Sequence, residues 1–205
     1  MTTSRRSLLL AAPVLAVPAG SLLAAPAKEP EVTPTEDLMR EHGLLNRVLL
    51  VYEECARRLE AGQPAPQVRD AALIIRDFVE RYHEELEEKH LFRRLAKGEH
   101  AQLVATLHAQ HLAGRKLTAA LLERADALAL RKFVRMYRPH EAREDTVLFP
   151  AFRETLSDRE LRKLGDQFEE QEHKLFGDKG FEGKVVEVAG LEKALGIYEL
   201  GQFTP

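Results

Sequence analysis

The chain has 205 residues, 44% hydrophobic and 31% charged, which suits one ordinary globular domain with a short appendage and excludes a disordered or fibrous chain. Its formal charge of −3 conceals an asymmetry. Residues 1–28 carry Arg5, Arg6 and Lys28 and no acid, so removing those three from the 30 basic residues leaves 27 against 33 acidic ones, and no nucleic-acid footprint survives that count. The single cysteine, Cys55, excludes an intramolecular disulfide framework as well as iron–sulfur clusters or zinc sites built from several thiolates of this chain. Metal chemistry here must use nitrogen and oxygen ligands.

Residues 1–27 have the three regions of an export signal: a basic start, an uncharged stretch from Ser7 onward, and the ending Ala25-Pro26-Ala27. Arg5 and Arg6, flanked by Ser4 and Ser7 and followed by three leucines, resemble a twin-arginine signal, with Leu8 where Phe commonly stands. The alternatives are an uncleaved N-terminal anchor and a plain tail. The expectation is a periplasmic or otherwise extracytoplasmic protein starting near Lys28. No other stretch is long and apolar enough to span a bilayer, so no stable membrane insertion is expected once the signal is removed. Residues 28–34 read as a Pro-rich linker.

From Thr35 the apolar residues recur at spacings of three and four, without the alternation of strands, so helices are expected throughout. The first covers residues 35–61 and stops at Gly62-Gln63-Pro64-Ala65-Pro66. The second covers 67–96 and ends at Lys97-Gly98, and the third covers 99–124. The break at 125–127 is the weakest, because it holds neither Gly nor Pro. The fourth helix covers 128–155, with Pro139 and Pro150 expected to bend it or end it early. Ser157-x-x-Glu160 is a capping box that opens a fifth helix to about Phe176, and a short helical piece follows over 184–195. The expected fold class is all-α: an up-and-down four-helix bundle at 35–155 with a C-terminal helical extension at 156–205.

In such a bundle, residues at one height on successive helices are equidistant from the turn that joins them. The midpoint of His42 and His83 falls in the 62–66 turn, that of His83 and His111 at Lys97, and that of His111 and His140 in the 125–127 break. These four histidines, one per helix, therefore share a layer. His83-x-x-x-Glu87 and His140-x-x-x-Glu144 each add a carboxylate on the same face one turn along, and each is followed by Leu-Phe, at Leu91-Phe92 and Leu148-Phe149. Helices one and three contribute Glu41-His42 and Gln110-His111. The chain reads as two halves, each supplying His and then His-x-x-x-Glu. Four imidazoles and two carboxylates are too many for one tetrahedral ion and suit a pair of ions bridged by the carboxylates.

Together, Glu41-His42, His83-x-x-x-Glu87, Gln110-His111 and His140-x-x-x-Glu144 followed by Val147-Leu148-Phe149-Pro150 resemble the hemerythrin-like domain. The resemblance implies a four-helix bundle holding two non-haem iron ions, oxo- or hydroxo-bridged, with His42, His83, Glu87, His111, His140 and Glu144 as ligands and both glutamates bridging. It also implies a small diatomic ligand, dioxygen or nitric oxide, or a reaction with peroxide. Oxygen-carrying members have a histidine four residues before the third-helix ligand, where this chain has Leu107, and a last carboxylate five residues beyond the fourth-helix histidine, at Asp145. His108 is thus left open as a fifth imidazole, Asp145 as the rival of Glu144, and Glu88 as the rival of Glu87. The six-ligand set is closer to the nitric-oxide and cluster-repair branch. Other readings are iron binding or storage without gas chemistry, or a helical interaction domain with a vestigial site.

Among the remaining residues, Phe92 and Phe149 are expected to plug the core beside the ligands, and Tyr82 and Tyr137 to bond the site's outer partners or simply pack. Arg47 and Arg115 are expected to pair with surface acids, and Cys55 to be buried. His90, His100 and His173 fall outside the layer.

Overall fold

The computed structural model describes residues 32–205, so the expected export signal at 1–27 and most of the linker at 28–34 lie outside it. Six main helices follow one another: α1 is Pro34–Glu60, α2 spans 67–95, α3 is Ala101–Glu123, α4 spans 127–154, α5 is Asp158–Phe176 and α6 is Gly180–Leu195. Helix α1 packs against α2 and α4, and α3 closes the ring against the same two, which makes an up-and-down four-helix bundle with a C-terminal helical pair added. None of these helices is long and apolar enough to cross a membrane.

Local chemistry sets the helix ends. Thr33 and Glu36 form a reciprocal capping box around Pro34 at the first helical position, so α1 starts one residue before the expected Thr35. Gly62, at φ +71°, takes the left-handed conformation that ends α1 without a Cβ penalty. At the ambiguous break, Arg124 is extended and the Asp126 carboxylate accepts the Ala129 N–H at 2.7 Å, an N-cap that starts α4 without Gly or Pro. The Ser157 box opens α5 as expected.

Two helices depart from α geometry. Helix α2 is π-helical over Ile75–His83 and Glu87–Phe92, and α4 is π-helical over Glu144–Leu148. Pro139 lies inside α4 without ending it, and Pro150 sits in the first turn of the α-helical segment Phe149–Glu154, where its missing N–H costs little. The helix therefore passes through both prolines to residue 154, rather than ending early.

On the side of the Gly62 turn the bundle is filled by Tyr52, Phe133 and Tyr137, the last two stacked with ring centroids 4.2 Å apart. Cys55 is buried there, and burial pushes its thiol pKa up to about 11. Towards the Gly98 turn the filling is Leu38, Leu91, Leu107, Leu148 and Phe152. The α5–α6 pair packs mainly against α1 and α2. Phe176 and Phe181 cover Phe78 at 5.5 and 6.2 Å, and the Arg47 guanidinium forks onto buried Glu192 at 3.0 and 2.5 Å. Arg47 thus meets an acid as expected, but a buried one that fastens α6 to α1.

Replacing Asp126 with Ala removes the cap of α4 and should lower stability by about 1 kcal/mol. A denaturation midpoint equal to that of the parent protein would show that the cap does not hold the α3–α4 break.

Candidate metal centre

The four layered histidines converge through their Nε2 atoms. His42 and His83 approach to 3.0 Å and form one pair; His111 and His140 approach to 3.2 Å and form the other. Glu87 and Glu144, fully buried, lie between the pairs. Glu87 Oε1 is 3.5 Å from His83 Nε2 and 3.9 Å from His42 Nε2, whereas its Oε2 is 3.5 Å from His111 Nε2. Glu144 Oε2 is 3.5 Å from His42 Nε2 and 3.0 Å from His140 Nε2. Among the described residues none offers a hydrogen bond to any of the four oxygens of these two carboxylates.

This donor set fits a pair of cations. Two imidazole nitrogens bound to one first-row metal at about 2.1 Å and at right angles stand about 3 Å apart, which is the spacing of each pair. Neutral imidazoles whose Nδ1–H is already committed would point lone pair at lone pair here, and only a cation, metal or proton, relieves that. Among the described residues three groups of side chains bring ligand atoms close enough for one ion: His42-His83-Glu87 and Glu87-His111-His140-Glu144, which share Glu87, and Glu84-Glu88-His111, whose two carboxylates already pair with Arg115. The arrangement is consistent with a di-metal site.

The model of the hemerythrin HHE cation-binding domain matches residues 33–152. The chain belongs to the hemerythrin HHE family. Relatives 45% identical over 196 residues, covering 88% of this chain and 77% of their own length, are uncharacterized proteins of Mycobacterium tuberculosis (strains H37Rv and CDC 1551) and of Mycobacterium bovis. No solved structure matches the chain significantly.

Around the inner layer of this hemerythrin-like domain runs an outer ring that orients it. Each histidine donates its Nδ1–H to an oxygen: His42 to Asp145 at 2.7 Å, His83 to Glu41 at 2.6 Å, His111 to Glu88 at 3.0 Å and His140 to Gln110 at 2.9 Å. Such partners fix the tautomer and aim Nε2 inward. The two rivals left open by the sequence, Asp145 and Glu88, therefore belong to this ring. Glu41 and Gln110, each just before a helix-one or helix-three histidine, hold the histidine on the following helix.

Phe149 stacks on His42 at 5.4 Å and Phe92 on His111 at 5.1 Å, each closing one histidine of the opposite half. The π turns explain how. Each phenylalanine is five residues beyond a central glutamate, about 140° away around an ordinary α-helix. An i→i+5 turn returns it to the same face, and the Phe149 N–H does bond the Glu144 carbonyl. The sequence marked both phenylalanines as plugs without revealing this turn.

Further out the halves differ. Buried Glu84 accepts the Tyr137 hydroxyl at 2.6 Å and has Arg115 Nη2 at 2.8 Å; the same guanidinium bonds Glu88 at 2.7 Å. Arg115 is thus drawn into the outer ring, not paired at the surface. Glu141 occupies the corresponding place in the other half and has only the Asn46 amide as hydrogen-bond partner. Burial raises the Glu141 pKa to about 8. Burial also works against charge on His42, but its hydrogen bond to Asp145 and the nearby Glu144 carboxylate outweigh that and lift its pKa to about 9. The layer thus attracts positive charge.

His108, half exposed, comes no nearer than 4.0 Å to Glu88 and lies outside the inner layer, while Leu107 is buried. His173 is exposed beside Asp178, and His90 lies against Phe168. The sequence missed Arg115–Glu84–Tyr137 as a network; the one usable signal was Gly114, because an added Cβ there would stand 2.2 Å from the Tyr137 hydroxyl.

Gly114→Ala should therefore destabilise by about 1–2 kcal/mol, the clash exceeding the gain of roughly 1 kcal/mol in helix propensity. Gly43→Ala, which meets nothing within 4 Å, should be neutral or stabilising. Equal denaturation midpoints for the two variants would contradict the close fit of Tyr137.

Proposed function

We propose that the chain holds two non-haem iron ions, with His42, His83, His111 and His140 as terminal ligands and Glu87 and Glu144 as bridges, and that the centre binds or senses dioxygen or nitric oxide, or reacts with peroxide. The observation that carries the reading is the position of Glu87, whose two oxygens each face the Nε2 of a different histidine pair. Once bound, the irons would supply the electrons and open coordination positions that a small ligand needs.

The chain's own residues hold, orient and dry this centre. Asp145, Glu41, Glu88 and Gln110 fix the imidazoles through Nδ1. Phe92 and Phe149 cover its histidines with apolar surface, which favours a small neutral ligand over a charged substrate. No side chain in the layer is free to act as a general base, so reactivity belongs to the metals. We also propose that residues 1–27 direct export, on the strength of Arg5-Arg6 and the uncharged run behind them, with residues 28–34 as linker, 35–155 as the metal-binding bundle and 156–205 as its extension.

Elemental analysis of the mature chain should give about two irons, and spectra recorded anaerobically, then with oxygen or nitric oxide, should show ligand-dependent near-ultraviolet bands. Reversal on removing oxygen would favour a carrier or sensor, whereas iron without any spectral response would favour storage. His83→Ala and His140→Ala should each lose about half of the iron or more and His173→Ala none; equal retention in all three would overturn the ligand assignment.

A further inference from the structure

The two histidine pairs are related by the internal duplication, so a difference between their surroundings distinguishes positions that are otherwise alike. In the α1–α2 pair both Nδ1 partners are carboxylates, Glu41 for His83 and Asp145 for His42. Neither has a Lys or Arg partner among the described residues, and Glu141 stands behind them with only Asn46. In the α3–α4 pair one Nδ1 partner, Gln110, is a neutral amide, and the other, Glu88, shares its charge with Arg115. Arg115 also compensates Glu84.

An anionic partner on Nδ1 makes Nε2 a stronger donor to a metal, and a nearby guanidinium opposes a bound cation. Even if Glu41 and Asp145 alone are counted, the α1–α2 pair has two uncompensated carboxylates, whereas the α3–α4 pair has two, Glu84 and Glu88, that share the charge of Arg115. Glu87 faces both pairs, whereas Glu144 Oε2 is 3.0 Å from His140 and 3.5 Å from His42, so the inner carboxylates do not favour the α1–α2 pair and the difference rests on the outer ring.

We infer that the two metal positions are unequal, the His42–His83 position binding its ion first and more tightly than the His111–His140 position. This rests on the di-metal reading above. Outer-ring partners of this kind change metal affinity by roughly 10–100-fold, so two resolved steps separated by about tenfold or more are expected.

The test is anaerobic titration of the metal-free full chain with iron(II) against a chromophoric chelator. His140→Ala should keep the tight step and His83→Ala only the weak one. Two isosteric changes guard against misfolding: Glu41→Gln should weaken the tight step, and Gln110→Glu should strengthen the weak step, each by about tenfold, with helicity by circular dichroism unchanged. Two indistinguishable steps in the parent protein, or a tight step that survives in His83→Ala and not in His140→Ala, would overturn the inference while leaving the di-metal reading intact. Failure of the parent protein to bind iron would overturn both.

Discussion

Four imidazole nitrogens and four carboxylate oxygens, the latter unpartnered among the described residues, meet in one buried layer of this bundle, and the rest of the structure is arranged around the cost of that meeting. Groups of this polarity in a protein interior are tolerated only when hydrogen-bonded, neutralised or bound to a cation. Hydrogen bonds take care of the outward nitrogens, all four of which have an oxygen within 3.0 Å. They do nothing for the inward atoms. The raised proton affinity of His42, His83 and His111 against the effect of their own burial expresses the same demand for positive charge that two metal ions would satisfy.

The duplication of the sequence becomes a duplication of roles in space. Within each half, the residue before the helix-one or helix-three histidine supports the next histidine; between halves, the residue after the central glutamate supports the other half's histidine. Neither half therefore builds a complete pair by itself. The π turns belong to the same design, since without them Phe92 and Phe149 would point away from the histidines they cover.

Much of this was legible in the sequence because it depends on spacing. Helix number, the connecting turns and the shared height of His42, His83, His111 and His140 follow from periodicity and from midpoints, which need no knowledge of packing. The family resemblance added the expectation that these four histidines and Glu87 and Glu144 belong together, and the six do meet in one layer. What was not legible depends on direction within a layer. Glu87 and Glu88, or Glu144 and Asp145, are adjacent in sequence and about 100° apart around a helix, so periodicity alone cannot say which faces in and which reaches a Nδ1. The π turns were hidden because they change that angle without changing composition. The α3–α4 break lacks Gly and Pro because Asp126 makes it instead, capping α4 through its side chain.

The C-terminal pair breaks the symmetry that the duplication would otherwise impose. Helices α5 and α6 lie against α1 and α2, held by Phe176 and Phe181 over Phe78 and by Arg47 and Arg58 reaching Glu192 and the Leu195 carbonyl. They deepen the burial of the elements carrying His42, His83 and Glu41, and give α3 and α4 no comparable cover. Burial strengthens the field of Glu41 on that side, since a screened charge loses effect while a desolvated one keeps it. Arg115, partly exposed on α3, weakens the field on the other side. Tail and outer ring therefore act in one direction, and both support the inference that the α1–α2 histidines form the more strongly cation-attracting half of the proposed centre.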